Sequence, residues 1–269
     1  MKGRVLVVAG SDSSGGAGIQ ADIKTVTALG GYAATAITAL TAQNSLGVSA
    51  VLPVPADFVT EQMTAVLSDI GADAVKIGML GDAAVVEAVA LCLDREAAHI
   101  PLVVDPVMVA KGGQALLDGD GVSALKSLLI GQAAIVTPNL PEAEVLTDLV
   151  IGSLEAMEEA AWAILETGAQ AVLLKGGHLD GETVTDVLVS AEGAEVFEVP
   201  RIETKHTHGT GCTLASSIAT GLAQGLDLRQ SVLRGRAYVL EAIRTAPGFG
   251  AGQGPLNHGH TVKLDHRDG

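Results

Sequence analysis

The sequence predicts an α/β fold in three layers, a mostly parallel central sheet with helices on both faces. Three observations lead there. Short β-rich runs alternate with stretches of helical spacing along the chain, the pattern of βαβ units. Hydrophobic residues make up 48% of the 269 and aromatics only 2%, so the core must be built from Ala, Val, Leu and Ile. The 33 glycines are spread among apolar runs instead of being gathered in linkers, which argues against disorder. A chain of this length can bury a sizeable core. No composition shift or internal repeat divides it, and a single domain over residues 1–269 is expected.

The elements follow in order. Residues 5–9 are apolar at every position, as suits a first strand buried on both faces. Ile19, Ile23, Val26 and Leu29 then fall on one face of a helix. A strand is expected at 33–39. Phe58, Met63, Val66, Leu67 and Ile70 form a second helical stripe, followed by a strand at 74–77. Val85, Val86, Val89 and Leu93 mark a third helix, in which Cys92 reads as core filler, and a strand at 102–105 follows. A strand at 134–137, a looser helical spacing of Met157, Trp162, Ile164 and Leu165, and a strand at 171–175 continue the alternation. Near the end, a glycine-rich turn from Thr207 to Thr213 feeds a helix of small residues over 214–219.

Composition excludes several classes of function. The formal charge of −15, with no basic block, argues against a nucleic-acid surface. It is compatible with a nucleotide, whose phosphates can be held by backbone N–H groups and one or two lysines. The longest apolar runs are too short to span a bilayer, and the N-terminus has no secretory pattern, so no membrane partner and a cytoplasmic location are expected. Cys92 and Cys212 form no C-x-x-C pair, which leaves no disulfide framework or structural zinc to read.

In a parallel sheet, functional groups collect where the strands end. Those ends carry Gly10-Ser11-Asp12, Gln43-Asn44, Gly78-Met79, Asp105-Pro106-Val107, Asn139 with Glu142, and Lys175. The turn Gly209-Thr210-Gly211-Cys212 is the richest feature. Glycines allow positive φ and close backbone approach, and a helix N-terminus directs free N–H groups and its dipole at one spot, where phosphate is held. Cys212 would sit at that terminus, which can lower a thiol's pKa toward neutrality; a tight turn around a buried cysteine is the plainer reading. Gly16-Ala17-Gly18-Ile19-Gln20-Ala21 matches a dinucleotide fingerprint. It starts several residues after the first strand, however, and lacks the acid expected on the ribose. Its glycines instead suit a loop folding over a small substrate, with Asp22 one turn into the helix.

Together these stretches resemble the hydroxymethylpyrimidine/phosphomethylpyrimidine kinases of thiamine biosynthesis. The similarity runs through residues 9–22, 41–44, 76–80, 105–108, 137–139, 204–212 and 254–258, in the family's order. It implies a ribokinase-like fold, a homodimer, and two phosphoryl transfers from ATP with Mg²⁺. The first goes to 4-amino-5-hydroxymethyl-2-methylpyrimidine and the second to its monophosphate. Many ribokinase relatives carry Asp where Cys212 stands; the pyrimidine-kinase branch carries Cys.

The resemblance gives roles to the residues. Gly209, Thr210, Gly211 and Cys212 would supply an anion hole for the transferring phosphoryl group, with Cys212 also taking the hydroxyl proton. Lys175, Asn139 and Glu142 would meet ATP. Asp105 and Glu142 would hold Mg²⁺, or else cap local structure. Gln43 suits an aminopyrimidine because its amide offers donor and acceptor together. Asp22 would meet the exocyclic amine or the hydroxymethyl group, Met79 and Val107 the ring faces, and Gly10 the ring edge. His206 and His208 could touch phosphate or cap the turn. A pyridoxal kinase is the nearest alternative, and a non-catalytic ligand-binding protein of the same fold a more distant one.

Overall fold

The computed structural model describes residues 1–109, 113, 116–179 and 181–262; the rest of the span 1–269 lies outside the described residues. In chain order the elements are β1 (Arg4–Asp12), α1 (Gly18–Ala28), β2 (Tyr32–Asn44), β3 (Gly47–Pro53), α2 (Ala56–Leu67), β4 (Ala74–Ile77), α3 (Ala83–Glu96), β5 (Leu102–Val104), α4 (Gly119–Leu128), β6 (Ile135–Val136), α5 (Leu140–Thr147), α6 (Leu154–Leu165), β7 (Ala171–Lys175), β8 (Thr183–Ser190), β9 (Gly193–Pro200), α7 (Thr210–Ala223) and α8 (Leu228–Arg244). All nine strands join one sheet in the order β3-β2-β1-β4-β5-β6-β7-β8-β9. The pairs from β2 through β7 are parallel; β3 and the β8–β9 hairpin pair antiparallel at the two sides.

Period-two alternation sorts the strand residues between two cores. Leu6, Val8, Val75, Ile77, Val104 and Leu174 pack with α2 to α6. Val5, Val7, Ala74, Val103, Ile135 and Leu173 pack with α1, α7 and α8. Helices therefore cover both faces of the central strands, and β1, β4, β5, β6 and β7 are apolar at nearly every position because neither face meets water there.

The expected strands are present, 74–77 and 171–175 with the same bounds, and β1 and β2 run on to Asp12 and Asn44. The helical faces need correction. Ile23 is exposed because α1 instead buries Ile19, Ala21, Asp22, Thr25 and Val26; a buried carboxylate rotates the inner face away from the apolar stripe. Val59 and Met63 are the buried residues of α2, while Phe58 is exposed and Ile70 lies beyond the helix end. Trp162 sits on the outer side of α6, its indole N–H donating to Glu158 at 3.4 Å.

Six elements were not expected: β3, β8, β9, α4, α5 and α8. The last shows why. It follows another helix with no strand between, outside the alternation, although Val232, Tyr238, Val239 and Ala242 share its buried face, and small residues bring it close to α7. A Cβ at Gly221 would collide with Ser231, and one at Gly235 would stand 3.2 Å from Leu214 and Ser217. The cap Asp227 starts this helix, accepting from the Gln230 N–H.

Candidate active site

The strand order reverses between β1 and β4, since the chain leaves β1 toward β2 on one side and later returns on the other. Such a switch point opens a crevice beyond the carboxyl ends of the strands. Here it is a cleft of about 950 Å³. Among the residues lining it are Gly10, Gln43, Met79, Val107 and Cys212, and on the far side Asp105, Asn139, Glu142 and Lys175.

The glycine turn closes one wall. Gly209 caps α7 with φ 85°, a left-handed conformation that favours glycine. It also lies against the first loop, where a Cβ would collide with the Gly16 carbonyl. The first-turn N–H groups of Gly211 and Cys212 have no intrahelical acceptor and stand at the cleft. The Thr210 N–H differs from expectation, bending back to the Thr207 carbonyl at 3.4 Å.

Asp12 holds the first loop in place. Its carboxylate accepts from the N–H groups of Ser14, Gly16 and Ala17 at 2.8, 3.1 and 2.8 Å, and from the Ser14 hydroxyl at 3.0 Å. It also meets the His208 Nε2 at 2.8 Å. Burial alone would raise its pKa, but the hydrogen bonds, that from His208 foremost, carry it down to about 2. His208 thus ties the first loop to the turn, and its Nε2 lies 3.3 Å from the Gln43 amide. Gln43 in turn meets the Thr41 hydroxyl at 3.1 Å. Gly10 leaves room for Met79, whose sulfur would be 3.1 Å from a Cβ there.

On the other side, Lys175 Nζ donates to Asp105 at 2.9 Å, and the Thr137 hydroxyl reaches the same oxygen at 3.2 Å. Gly211 lies beside both, its place for a Cβ 3.2 Å from Lys175 Nζ and 3.4 Å from Asp105. Asn139 and Glu142 cap α5 reciprocally, each accepting from the other's N–H at 2.9 and 2.8 Å. Burial pushes the Glu142 carboxyl up to about 7 against the pull of Lys175. Glu142 is thus a helix cap and a wall of the cleft at once.

A phosphomethylpyrimidine kinase family model matches residues 12–257. The chain belongs to that family. It is 53% identical over 257 residues to the thiamine biosynthesis bifunctional protein ThiED of Geobacter sulfurreducens, which covers 96% of this chain and 52% of that one; the chain spans about half the length of that relative. It is 50% identical over 258 residues to the hydroxymethylpyrimidine/phosphomethylpyrimidine kinase of Rhizobium meliloti, 95% of this chain and 96% of the other. Among solved structures it resembles the pyridoxal kinase of Staphylococcus aureus in complex with AMP-PCP and pyridoxal, with TM-score 0.88 and 35% identity over 96% of this chain and 94% of that one. The fold of this family member is ribokinase-like, as expected.

Besides the Thr210 N–H, two further expectations for the kinase site need correction. Asp22 does not line the cleft: it is wholly buried and bound to Lys76 and Ser216, because α1 turns its carboxylate inward. Cys212 is not drawn toward neutrality by its helix terminus; burial, against the pull of Lys76, pushes the thiol up to about 11. For a metal, the two carboxylates Asp105 and Glu142 fit a cation carried in by a nucleotide. Among the described residues no three His, Cys, Asp or Glu gather to hold one unaided, and Mg²⁺ is commonly held by one or two carboxylates with phosphates and water. Asp12 and Lys76 were missed as site residues. The signal for Lys76 was legible: a lysine inside an all-apolar strand needs a buried partner.

Proposed function

We infer that this chain is an ATP-dependent kinase of thiamine biosynthesis. It phosphorylates 4-amino-5-hydroxymethyl-2-methylpyrimidine and then the resulting monophosphate. The observation that carries the reading is the glycine turn at the start of α7, set between Lys175 with Asp105 on one side and Gln43 with Met79 on the other. A donor phosphate and a flat acceptor placed on those two sides meet at Cys212.

Phosphoryl transfer depends on alignment and charge neutralisation more than on covalent help. The substrate oxygen bonds to the γ-phosphorus as the bond from that phosphorus to ADP breaks, and the hydroxyl proton goes to the Cys212 sulfur. The Gly211 and Cys212 N–H groups and Lys175 face the charge on the transferring group. Mg²⁺, when bound with ATP, supplies neutralisation of phosphate charge, and Asp105 and Glu142 are the residues that would hold it. Gln43 orients the pyrimidine through its amide, with Met79 and Val107 against the ring. A homodimer and cytoplasmic residence belong to the same reading. The dimer is supported by the family resemblance and by exposed Leu40, Leu46 and Leu52 at the β2–β3 side, and light scattering would read it. For location, no helix of the described residues is long and apolar enough to cross a membrane.

The likeness to a pyridoxal kinase along nearly the whole chain favours a second acceptor. ADP release under Mg²⁺-ATP, measured with the pyrimidine alcohol, its monophosphate and pyridoxal, separates the readings. Turnover with both pyrimidines is expected. A strong preference for pyridoxal would replace the substrate, and ligand-induced thermal stabilisation without ADP release would make the chain a binding protein.

A further inference from the structure

Behind Cys212 lies an ion pair that the phosphoryl-transfer scheme does not use. Lys76 projects from the middle of β4, and its enclosed ammonium lies 3.1 Å from both carboxylate oxygens of Asp22 on α1. Asp22 is enclosed too and accepts a third hydrogen bond, 2.6 Å, from Ser216 of α7. Cys212 and Ser216 are one helical turn apart and share a face of α7. Gly78 preserves the arrangement, since a Cβ there would stand 2.9 Å from Lys76 Nζ. The cleft wall includes both Lys76 and Cys212.

Stability does not account for this pair. Removing two charges from water is expensive, and well-packed apolar residues in their place are often as stable or more so. A function for the field of the pair explains it better.

We propose that Lys76 is a positioning residue that supplies the counter-charge for the Cys212 thiolate, and that Asp22 sets how much of that charge the sulfur feels. The charged groups facing Cys212 are Lys76 from β4, Asp22 from α1, Asp105 beyond β5 and Lys175 at the end of β7. Lys76 is the strongest of them in favour of the thiolate, while Asp22 and Asp105 oppose it; the Gly18 N–H also donates toward the sulfur. Lys76 itself moves no proton. Burial would strip its charge, but Asp22, the Cys212 thiolate and Asp105 together outweigh burial and keep it an ammonium. The travelling proton goes from the substrate hydroxyl to sulfur, next to a cation that stays fixed.

The inference rests on Cys212 being the base, yet its first test needs no turnover. Cys212 would be alkylated with iodoacetamide across a pH series, without nucleotide or pyrimidine, in a Cys92→Ala background. Asp22→Asn keeps the shape and still accepts from Ser216, but loses its negative charge. Its thiol should titrate about one unit lower, with alkylation near pH 8 about tenfold faster. Lys76→Met should move the titration about one unit the other way, and the double variant should fall between the two. A merely structural pair predicts that both single variants move together. Shifts of the same sign, or no shift in Asp22→Asn, overturn the proposal; should Lys76→Met fail to fold, Asp22→Asn and the double variant still decide. The pH–rate profile for ATP and the pyrimidine is then measured on Asp22→Asn. A profile that shifts with the alkylation titration supports both readings. An unshifted profile beside a shifted titration leaves the field of the pair intact and removes Cys212 as the base.

Discussion

Cys212 and Asp12 show how burial and hydrogen bonding separate two groups in one cleft. The thiol is pushed up to about 11, so the thiolate is a minor form at neutral pH, and its fraction grows tenfold per pH unit below that value. If the thiolate takes the proton, turnover should rise with unit slope from neutrality to about pH 10. Cys212→Ala should lose the slope and about 10²–10⁴-fold in rate, with pyrimidine affinity kept; Cys212→Asp should recover part of the rate with a flatter profile. Single-turnover transfer across pH reads all three. Asp12 behaves oppositely. Its folded pKa of about 2 lies below the ordinary 3.8, so its stabilisation is complete above about pH 4 and is lost as pH falls through about 2. Asp12→Asn should lower the urea midpoint at neutral pH and lose little more between pH 4 and 2.

At the scale of the element, the start of α7 depends on backbone shape. Gly209 is needed twice, for its φ of 85° and for its contact with the Gly16 carbonyl. A non-glycine residue held in a sparsely populated φ/ψ region costs about 1–3 kcal/mol, and here a Cβ would also displace the loop that Asp12 holds. Gly209→Ala should therefore lose both thermal stability and turnover. Gly225, just past the same helix, is the control: its φ is +82° with nothing within 4 Å of a Cβ. Gly225→Ala should cost some stability and leave the rate alone. Equal effects on rate would show that strain alone, and not the seating of the turn on the loop, governs activity.

Across the whole molecule, the sheet spaces the two substrates. Gln43 lies near the end of β2 and Lys175 ends β7, with β1, β4, β5 and β6 between them, a span of about 24 Å at the usual strand spacing. Gln43→Ala should raise the KM for the pyrimidine more than it lowers kcat, because the contact persists from ground state to transition state. Lys175→Ala should impair catalysis with ATP while calorimetry finds pyrimidine binding intact. Their effects on kcat/KM should add, as expected for distant sites. A collapse of pyrimidine affinity in Lys175→Ala would reverse the assignment of the two halves.

Much of this was legible along the chain, because a strand or helix buries residues at a period visible in a short window. The alternation placed the parallel strands, and the polar residues at their ends pointed to Gln43, Asp105, Asn139 and Lys175. β3, the β8–β9 hairpin and α8 each follow an element of the same kind, so the alternation of strand and helix does not announce them. What a side chain does once inside depends on partners that a window does not contain. Asp22 looked like a substrate contact because Lys76 is 54 residues away and Ser216 194 residues away. Cys212 looked like a ready thiolate because a helix start is local, whereas the burial that raises its pKa comes from the assembled cleft. Sequence by itself determined the layers, the strand ends and the glycine turn. Only the tertiary structure decided which charges meet, since desolvation and Coulomb energy depend on distance in space.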